Sequence, residues 1–331
     1  MAELTDFIRR ELDKVKTKYK EIDGVELISC VPALVQLKIV QTTKKEIVTC
    51  FLFPEDYPRN PILIELKSKY LAYKLLDGLR KVCEEETKKL IGQQQILPIV
   101  QFVKNFIVDN PLCVCSEEIS NIKKRVLQEN DEIRLKQKTS QVVIKLKQDA
   151  YYLNARLTVP NDYPLERTGV EITYHNFPES LKRHFLSQVE EIARKCVQPP
   201  LKKKPKDPPF EPKPALQPIV EYLVKDIVRK YPSEICPVCN KPVLPSDPKD
   251  VVKDPCSDKF VDRLYCCHLF HRGCLDAYMK KPPFTGGKKC PKCGCLVFHE
   301  NWKLTPELSE ARWAHQEARR RELAEVVDFL Q

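Results

Sequence analysis

Apolar residues recur along the chain in two alternating rhythms. Leu4, Phe7, Ile8, Leu12, Val15 and Tyr19 fall three and four residues apart, the period of a single helix face. Behind them the period drops to two. The runs Val25–Ser29, Leu34–Val40 and Ile47–Phe53 read as strands, with Val35, Leu37 and Ile39 on one face. Three prolines interrupt this in Phe53-Pro54-Glu55-Asp56-Tyr57-Pro58-Arg59-Asn60-Pro61, and Ile62, Ile64 and Leu66 resume the alternation. Two helices follow, one around Leu75, Leu76, Leu79, Val82 and Cys83, the other from about Ile99 to Val108.

The same order then recurs, which sets the expected domain boundaries. Val159-Pro160-Asn161-Asp162-Tyr163-Pro164 echoes Phe53–Pro58, and Val170 and Ile172 stand where Ile62 and Ile64 stood. Pro218–Lys225 echoes Pro98–Lys104. The second copy opens with a helix near Ile119–Leu127 and continues with strands at Gln141–Lys147 and Tyr151–Thr158. Its surplus length is a Pro/Lys-rich insert over 198–213, of extended, exposed character. The expected division is 1–112, 113–231, a cysteine-rich module over 232–303 and a charged C-terminal helix over 304–331. That helix starts at Pro306 behind Thr305, with Glu307 and Glu310 in its first turn, and Trp302 ahead of it is placed to pack back on the module.

A helix, four antiparallel strands, a Tyr-Pro turn and two closing helices resemble the RWD domain, a relative of the ubiquitin-conjugating-enzyme fold. Tyr57-Pro58-Arg59-Asn60-Pro61 matches that family's Tyr-Pro-x-x-Pro signature. Tyr163-Pro164-Leu165-Glu166-Arg167 lacks the closing proline. The resemblance implies an α+β fold of two RWD-like domains, each α-β-β-β-β-α-α. The prolines fix φ in an irregular loop, and the tyrosine packs its ring while its hydroxyl bonds backbone. Conjugating enzymes use a cysteine beside His-Pro-Asn, and neither repeat contains that tripeptide. Cys83 lies beside Glu84, Glu85 and Glu86, whose charge raises a thiol's pKa, and Cys196 lies at a helix end. Both are expected to pack rather than react.

The chemistry is concentrated further on. Nine of the 15 cysteines lie between Cys236 and Cys295. Cys236-Pro237-Val238-Cys239, Cys266-Cys267-His268, His271-Arg272-Gly273-Cys274 and Cys290-Pro291-Lys292-Cys293 form four closely spaced pairs. A tight turn can aim two donors of such a pair at one ion, and zinc takes four N or S ligands. Eight donors make two closed structural sites, leaving no position for catalytic water. Cys256, Cys267 and Cys295 are left over, and Cys267 is exchangeable with Cys266. The series resembles the RING finger in its H2 form. By that resemblance the pairs interleave as a cross-brace around two Zn²⁺ per chain. Cys236, Cys239, His271 and Cys274 hold one ion; Cys266, His268, Cys290 and Cys293 hold the other.

RING domains contribute no nucleophile. They dock a ubiquitin-charged conjugating enzyme and orient its thioester for attack by a substrate lysine, a gain from proximity. The resemblance places the docking surface on Val238, Tyr278 and Pro291, with no catalytic residue. Gly294 stands where many active RINGs carry Arg or Lys, and the adjacent Lys292 points elsewhere in a regular turn. Between Cys239 and Cys266, Lys241–Asp262 is long and polar, as a surface excursion is.

Composition constrains rather than decides. The 331 residues are 42% hydrophobic and 31% charged, with net charge +10, which fits a globular protein of two or three domains. No apolar run approaches the ~18–20 residues of a membrane span. The acidic start, Met1–Asp6, lacks a secretory apolar stretch, and the CxxC pairs point to metal in a reducing compartment. The expected location is the cytoplasm, with Lys202-Lys203-Lys204-Pro205-Lys206 resembling a nuclear-import signal. Basic residues do not interleave with aromatics, so nucleic acid is the weakest partner class. The leading expectation is a RING-type ubiquitin ligase of the RWD/RING kind, with conjugating enzyme, ubiquitin, and substrate or cofactor proteins on the RWD-like domains as partners. A non-catalytic zinc-containing adaptor is the alternative.

Overall fold

The structure is a computed structural model that describes residues 2–200, 208–281, 287–298, 315 and 318–323. The Lys202–Lys206 run, Trp302 and most of the helix expected over Pro306–Leu330 lie outside the described residues; within that helix, 315 and 318–323 are helical. The chain divides into two compact units. One comprises Met1–Leu146, Leu153–Tyr174 and Phe185–Val224, the other Lys147–Tyr152, His175–His184 and Lys225–Gln331.

The first unit opens with helix α1 (Ala2–Lys18), followed by strands β1 (Val25–Val31), β2 (Leu34–Thr42), β3 (Lys45–Leu52) and β4 (Leu63–Lys67). They form an antiparallel sheet in chain order. Alternation decides its faces. Val35, Leu37 and Ile39 on β2 pair with Phe51, Thr49 and Ile47 on β3, and all six are buried. Gly24 has φ +72, and a Cβ there would meet Val40 O at 2.4 Å, so the turn into β1 requires glycine. Helix α2 (Tyr73–Lys88) buries Leu76, Leu79, Cys83 and Thr87, and α3 (Ile96–Asp109) buries Ile99, Val100, Val103 and Ile107, each along one stripe. Pro98 is tolerated because it falls in the first turn of α3.

A second helix-and-sheet set follows. Helix α4 (Ser116–Asn121) runs into a wider π turn (Ile122–Val126), and β5 (Glu132–Lys136), β6 (Gln141–Gln148), β7 (Tyr151–Thr158) and β8 (Gly169–His175) form a four-stranded sheet in that order. Helix α5 (Glu179–Val197) and α6 (Leu216–Tyr222) close the set. Both Tyr57-Pro58 and Tyr163-Pro164 are cis.

The tyrosine hydroxyls bond backbone as expected, and each adds a carboxylate that sequence reasoning missed. Tyr57 donates to the carboxylate of Glu11, which is itself buried at 1% exposure among the apolar residues of α1, and its hydroxyl also lies 3.5 Å from the backbone Gln93 O. Glu11 Oε1 accepts the N–H groups of Gln95 (2.7 Å) and Ile96 (2.9 Å), the free donors at the start of α3. Tyr163 repeats the arrangement with Glu118, and its oxygen also accepts from Ala215 N at 2.7 Å and Leu216 N at 3.1 Å. Burial, and the neighbouring carboxylate, hold both phenols well above their ordinary range.

The second unit carries short elements: β9 (Val261–Arg263) paired with β10 (Leu269–His271), and α7 (Arg272–Met279). Lys241–Asp262 is not wholly a surface excursion. Val243 and Leu244 are buried, because Val243 N bonds Glu234 O at 2.9 Å and turns the chain inward. Tyr151 Oη donates to Pro245 O at 2.8 Å. Among the described residues, no helix is long and apolar enough to cross a membrane.

Candidate metal centres

Two turns of the same construction present the CxxC pairs. In the first, Cys236 N bonds Lys241 O (2.9 Å), Asn240 N bonds Cys236 O (2.8 Å), and Val243 N bonds Glu234 O (2.9 Å). In the second, Cys290 N bonds Cys295 O (2.7 Å), Gly294 N bonds Cys290 O (2.8 Å), and Val297 N bonds Lys288 O (2.7 Å). The turns therefore correspond residue by residue, Cys236 to Cys290, Asn240 to Gly294 and Lys241 to Cys295. Asn240 (φ 57) and Gly294 (φ 73) both lie in the left-handed region, where asparagine and glycine are the residues most easily accommodated.

The remaining donors come from the β9–β10 hairpin and the helix after it. Cys266 and His268 sit in the hairpin turn, closed by Leu264 N to His268 O at 3.0 Å, with Cys267 at φ 67. His271 ends β10, and Cys274 lies in the first turn of α7. Arg272 fixes that junction by a two-pronged bond to Asp262 (2.8 and 3.0 Å), with its guanidinium 5.1 Å from the Phe260 ring centroid. Gly273 N bonds Asp258 O, and a Cβ at Gly273 would meet the Asp258 side chain at 2.8 Å.

These elements gather eight donor atoms into two groups. Cys236, Cys239, His271 and Cys274 form one; Cys266, His268, Cys290 and Cys293 form the other, and within each all donor atoms lie within 4.8 Å of one another. Each holds three thiols and one imidazole, a donor set that suits a soft-to-borderline ion in tetrahedral geometry. The imidazoles present Nδ1. It lies 3.4 Å from Cys239 Sγ and 3.9 Å from Cys274 Sγ at His271, and 3.5 Å from Cys290 Sγ at His268. His271 Nε2 lies 3.1 Å from Pro242 O, which can only accept. The proton therefore sits on Nε2, and the Nδ1 lone pair faces the sulfurs, as a metal ligand requires.

Protonation agrees with this reading. Burial lowers the pKa of both His268 and His271, favouring the neutral form that ligates. The crowded thiols divide: burial and neighbouring sulfurs push Cys266 and Cys274 up to about 12. At Cys239 burial is outweighed by the Lys241 N–H and the thiols of Cys274 and Cys236, and at Cys293 the Cys295 N–H leads in lowering the thiol. Thiols and thiolates sharing protons in this way are poised to exchange those protons for a cation.

The residues proposed for docking are distributed over this frame. Val238 is in the first turn at 36% exposure, Ile235 three residues earlier is more exposed, and Pro291 is exposed on the second turn. Tyr278 is half-buried, and its hydroxyl donates to Lys289 O at 2.7 Å while Lys288 Nζ lies 4.7 Å from its ring centroid. Lys292 turns back to the buried Glu234, with Nζ 2.5 Å from its carboxylate. The Glu234–Lys292 pair ties the two turns together, and sequence reasoning missed it because nothing in the local pattern links positions that far apart. Glu11 did leave a signal: an acid on the apolar stripe of α1. Cys83 is raised to about 12, chiefly by burial and only then by Glu84 and Glu86.

Comparison with known families adds one match. Residues 8–107 fit the model of the RWD domain, so the first helix-and-sheet set is an RWD domain. No curated protein matches the chain.

Proposed function

We propose that the chain is a RING-type ubiquitin-protein ligase with two Zn²⁺, in which residues 232–303 form a RING-H2 cross-brace and residues 113–231 a second RWD-like domain. The observation that carries this reading is the interleaving of the two donor groups. The first and third pairs along the chain converge on one point, the second and fourth on another. Support for the second RWD-like domain comes from its sheet order and from the Tyr163–Glu118 bond repeating Tyr57–Glu11. The zinc-held platform would dock a ubiquitin-charged conjugating enzyme through Val238, Tyr278 and Pro291 and restrict its thioester to reactive geometries. The chain itself supplies no nucleophile. The RWD-like domains recruit substrate or cofactor proteins, in the cytoplasm and also the nucleus.

The test is reconstitution of the full chain with ubiquitin, activating enzyme and a panel of conjugating enzymes. Ubiquitin chains should form, and both Val238→Arg and Cys236→Ser should abolish them. Absence of transfer with every conjugating enzyme would favour a second reading, a zinc-containing adaptor that only binds proteins. That alternative is supported by Gly294, which offers no cation after the last ligand, and by Lys292, which is committed to Glu234.

A further inference from the structure

The two CxxC turns match in every backbone hydrogen bond described above, yet they differ at one chemically decisive position. Where the first turn has Lys241, the second has Cys295. The second group, three thiols and one imidazole, therefore has a further sulfur next to its last donor in the chain. Cys295 is exposed, as is its neighbouring ligand Cys293, whereas Cys290 in the same turn is buried. Cys293 and Cys295 stand two residues apart on either side of the corner that the Gly294 N to Cys290 O and Cys290 N to Cys295 O bonds close. Between them, Gly294 turns the chain at φ +73, and the space where its Cβ would lie is open to 4 Å. Ligation does not account for Cys295, since the group is complete without it. The first turn has no equivalent thiol.

We propose that Cys295 is an oxidation site that forms a disulfide with Cys293 and so opens the second metal group, an inference that rests on the reading of that group as a zinc site. The oxidant is a hydroperoxide, hydrogen peroxide in the simplest case. The Cys295 sulfur attacks one peroxide oxygen and the O–O bond breaks, giving a sulfenic acid and one water. The Cys293 thiolate then leaves the metal and attacks the Cys295 sulfur. An S–S bond forms, the S–O bond breaks, and the departing hydroxide takes a proton to become water. One peroxide is reduced and two thiol sulfurs are oxidised by one electron each. The ion is left with Cys266, His268 and Cys290, and three donors hold it far less tightly than four. The first group, without a spare thiol at the matching position, keeps its ion under the same conditions.

The experiment treats the zinc-loaded full chain with hydrogen peroxide while a chromogenic chelator reports released zinc and peptide mapping locates disulfides. The parent should release one equivalent per chain as a Cys293–Cys295 disulfide appears. Cys295→Ser should slow that release about tenfold or more, because the attacking thiol is gone. Cys256→Ser, which removes another exposed thiol, should behave as the parent. Should Cys295→Ser lose metal during purification, Cys295→Ala serves in its place, each variant being accepted only with two zinc equivalents bound. Release from Cys295→Ser at the parental rate, or a disulfide mapping to other cysteines, overturns the proposal. Fewer than two equivalents in the parent before peroxide is added instead sinks the zinc reading beneath it, and the proposal with it.

Discussion

The most consequential single residues outside the candidate metal centres are two buried glutamates. Glu11 accepts two helix-start N–H groups and the Tyr57 hydroxyl, and Glu118 accepts Gln217 N at 3.0 Å and the Tyr163 hydroxyl. Each does for a distant helix what a local N-cap does elsewhere; no side chain of its own caps α3 or α6. Burial nevertheless dominates their titration and raises both pKa values above 4.5. The sign of the consequence is fixed. Between the ordinary value and the raised one the native chain binds more protons than the unfolded chain, so stability falls as pH rises. Their favourable contribution is complete below the ordinary carboxylate range and is lost as pH climbs through the raised values. Urea unfolding should therefore show the parent losing stability relative to Glu11→Gln as pH rises from 4.5. The opposite slope would mean that the hydrogen bonds, not burial, control Glu11. Tyr57→Phe removes a donor from a buried carboxylate and should cost about 1–3 kcal/mol at neutral pH. The signature tyrosine was legible in the sequence, and its partner was not, because forty-odd residues of strand and turn separate them in the chain.

At the scale of elements, legibility followed how much each element buries. Strands β2, β3 and β7 bury every second residue, and the alternation of Val35, Leu37 and Ile39 marks them plainly. Strand β5 escaped because Ile133 alone is half-buried in Glu132–Lys136 and the rest faces solvent. Helix α5 was recognised only at its end near Cys196, although Leu181, Phe185, Val189 and Ala193 form a buried stripe at four-residue spacing. The CxxC turns were legible as donor pairs, since spacing alone dictates that reading. Their left-handed corners were not, because Asn240 and Gly294 look unrelated until the hydrogen bonds superimpose them. That correspondence changes how Gly294 is understood: it occupies a corner that disfavours most side chains, with open space beyond. Gly294→Arg should thus cost only the left-handed penalty, about 1–2 kcal/mol, with both metal equivalents retained. In the ligase reading, the new cation should raise ubiquitin discharge from the charged conjugating enzyme severalfold. A folded, metal-replete Gly294→Arg chain with no gain in any discharge assay would favour the adaptor.

For the whole molecule the decisive contrast is between two kinds of core. The RWD domain is held by a continuous apolar interior in which Val35, Leu37, Ile39, Phe51, Val100 and Val103 are essentially inaccessible. The part that carries the candidate metal centres has, among its described residues, strands of three residues, an eight-residue helix and isolated bridges at Ile235–Pro242 and Lys289–Leu296. So little regular structure offsets little chain entropy by apolar burial, and in the zinc reading the ions supply the difference, roughly 10 kcal/mol or more for a structural zinc site. Removing metal should therefore act unevenly. In hydrogen exchange of the full chain, a strong chelator should strip protection from the amides of Cys236, Asn240, Cys290 and Gly294, whose bonds exist only while the turns are closed. The paired amides of β2 and β3 should keep theirs, because Val35↔Phe51 and Leu37↔Thr49 are sealed by the interior of the RWD domain and by no ion. Restoring zinc should return the lost protection at both turns together, since each donor group takes one pair from a turn and one from the β9–α7 segment. Turns that stay protected without metal would show a core sufficient in itself, and the docking platform would then need no zinc to exist.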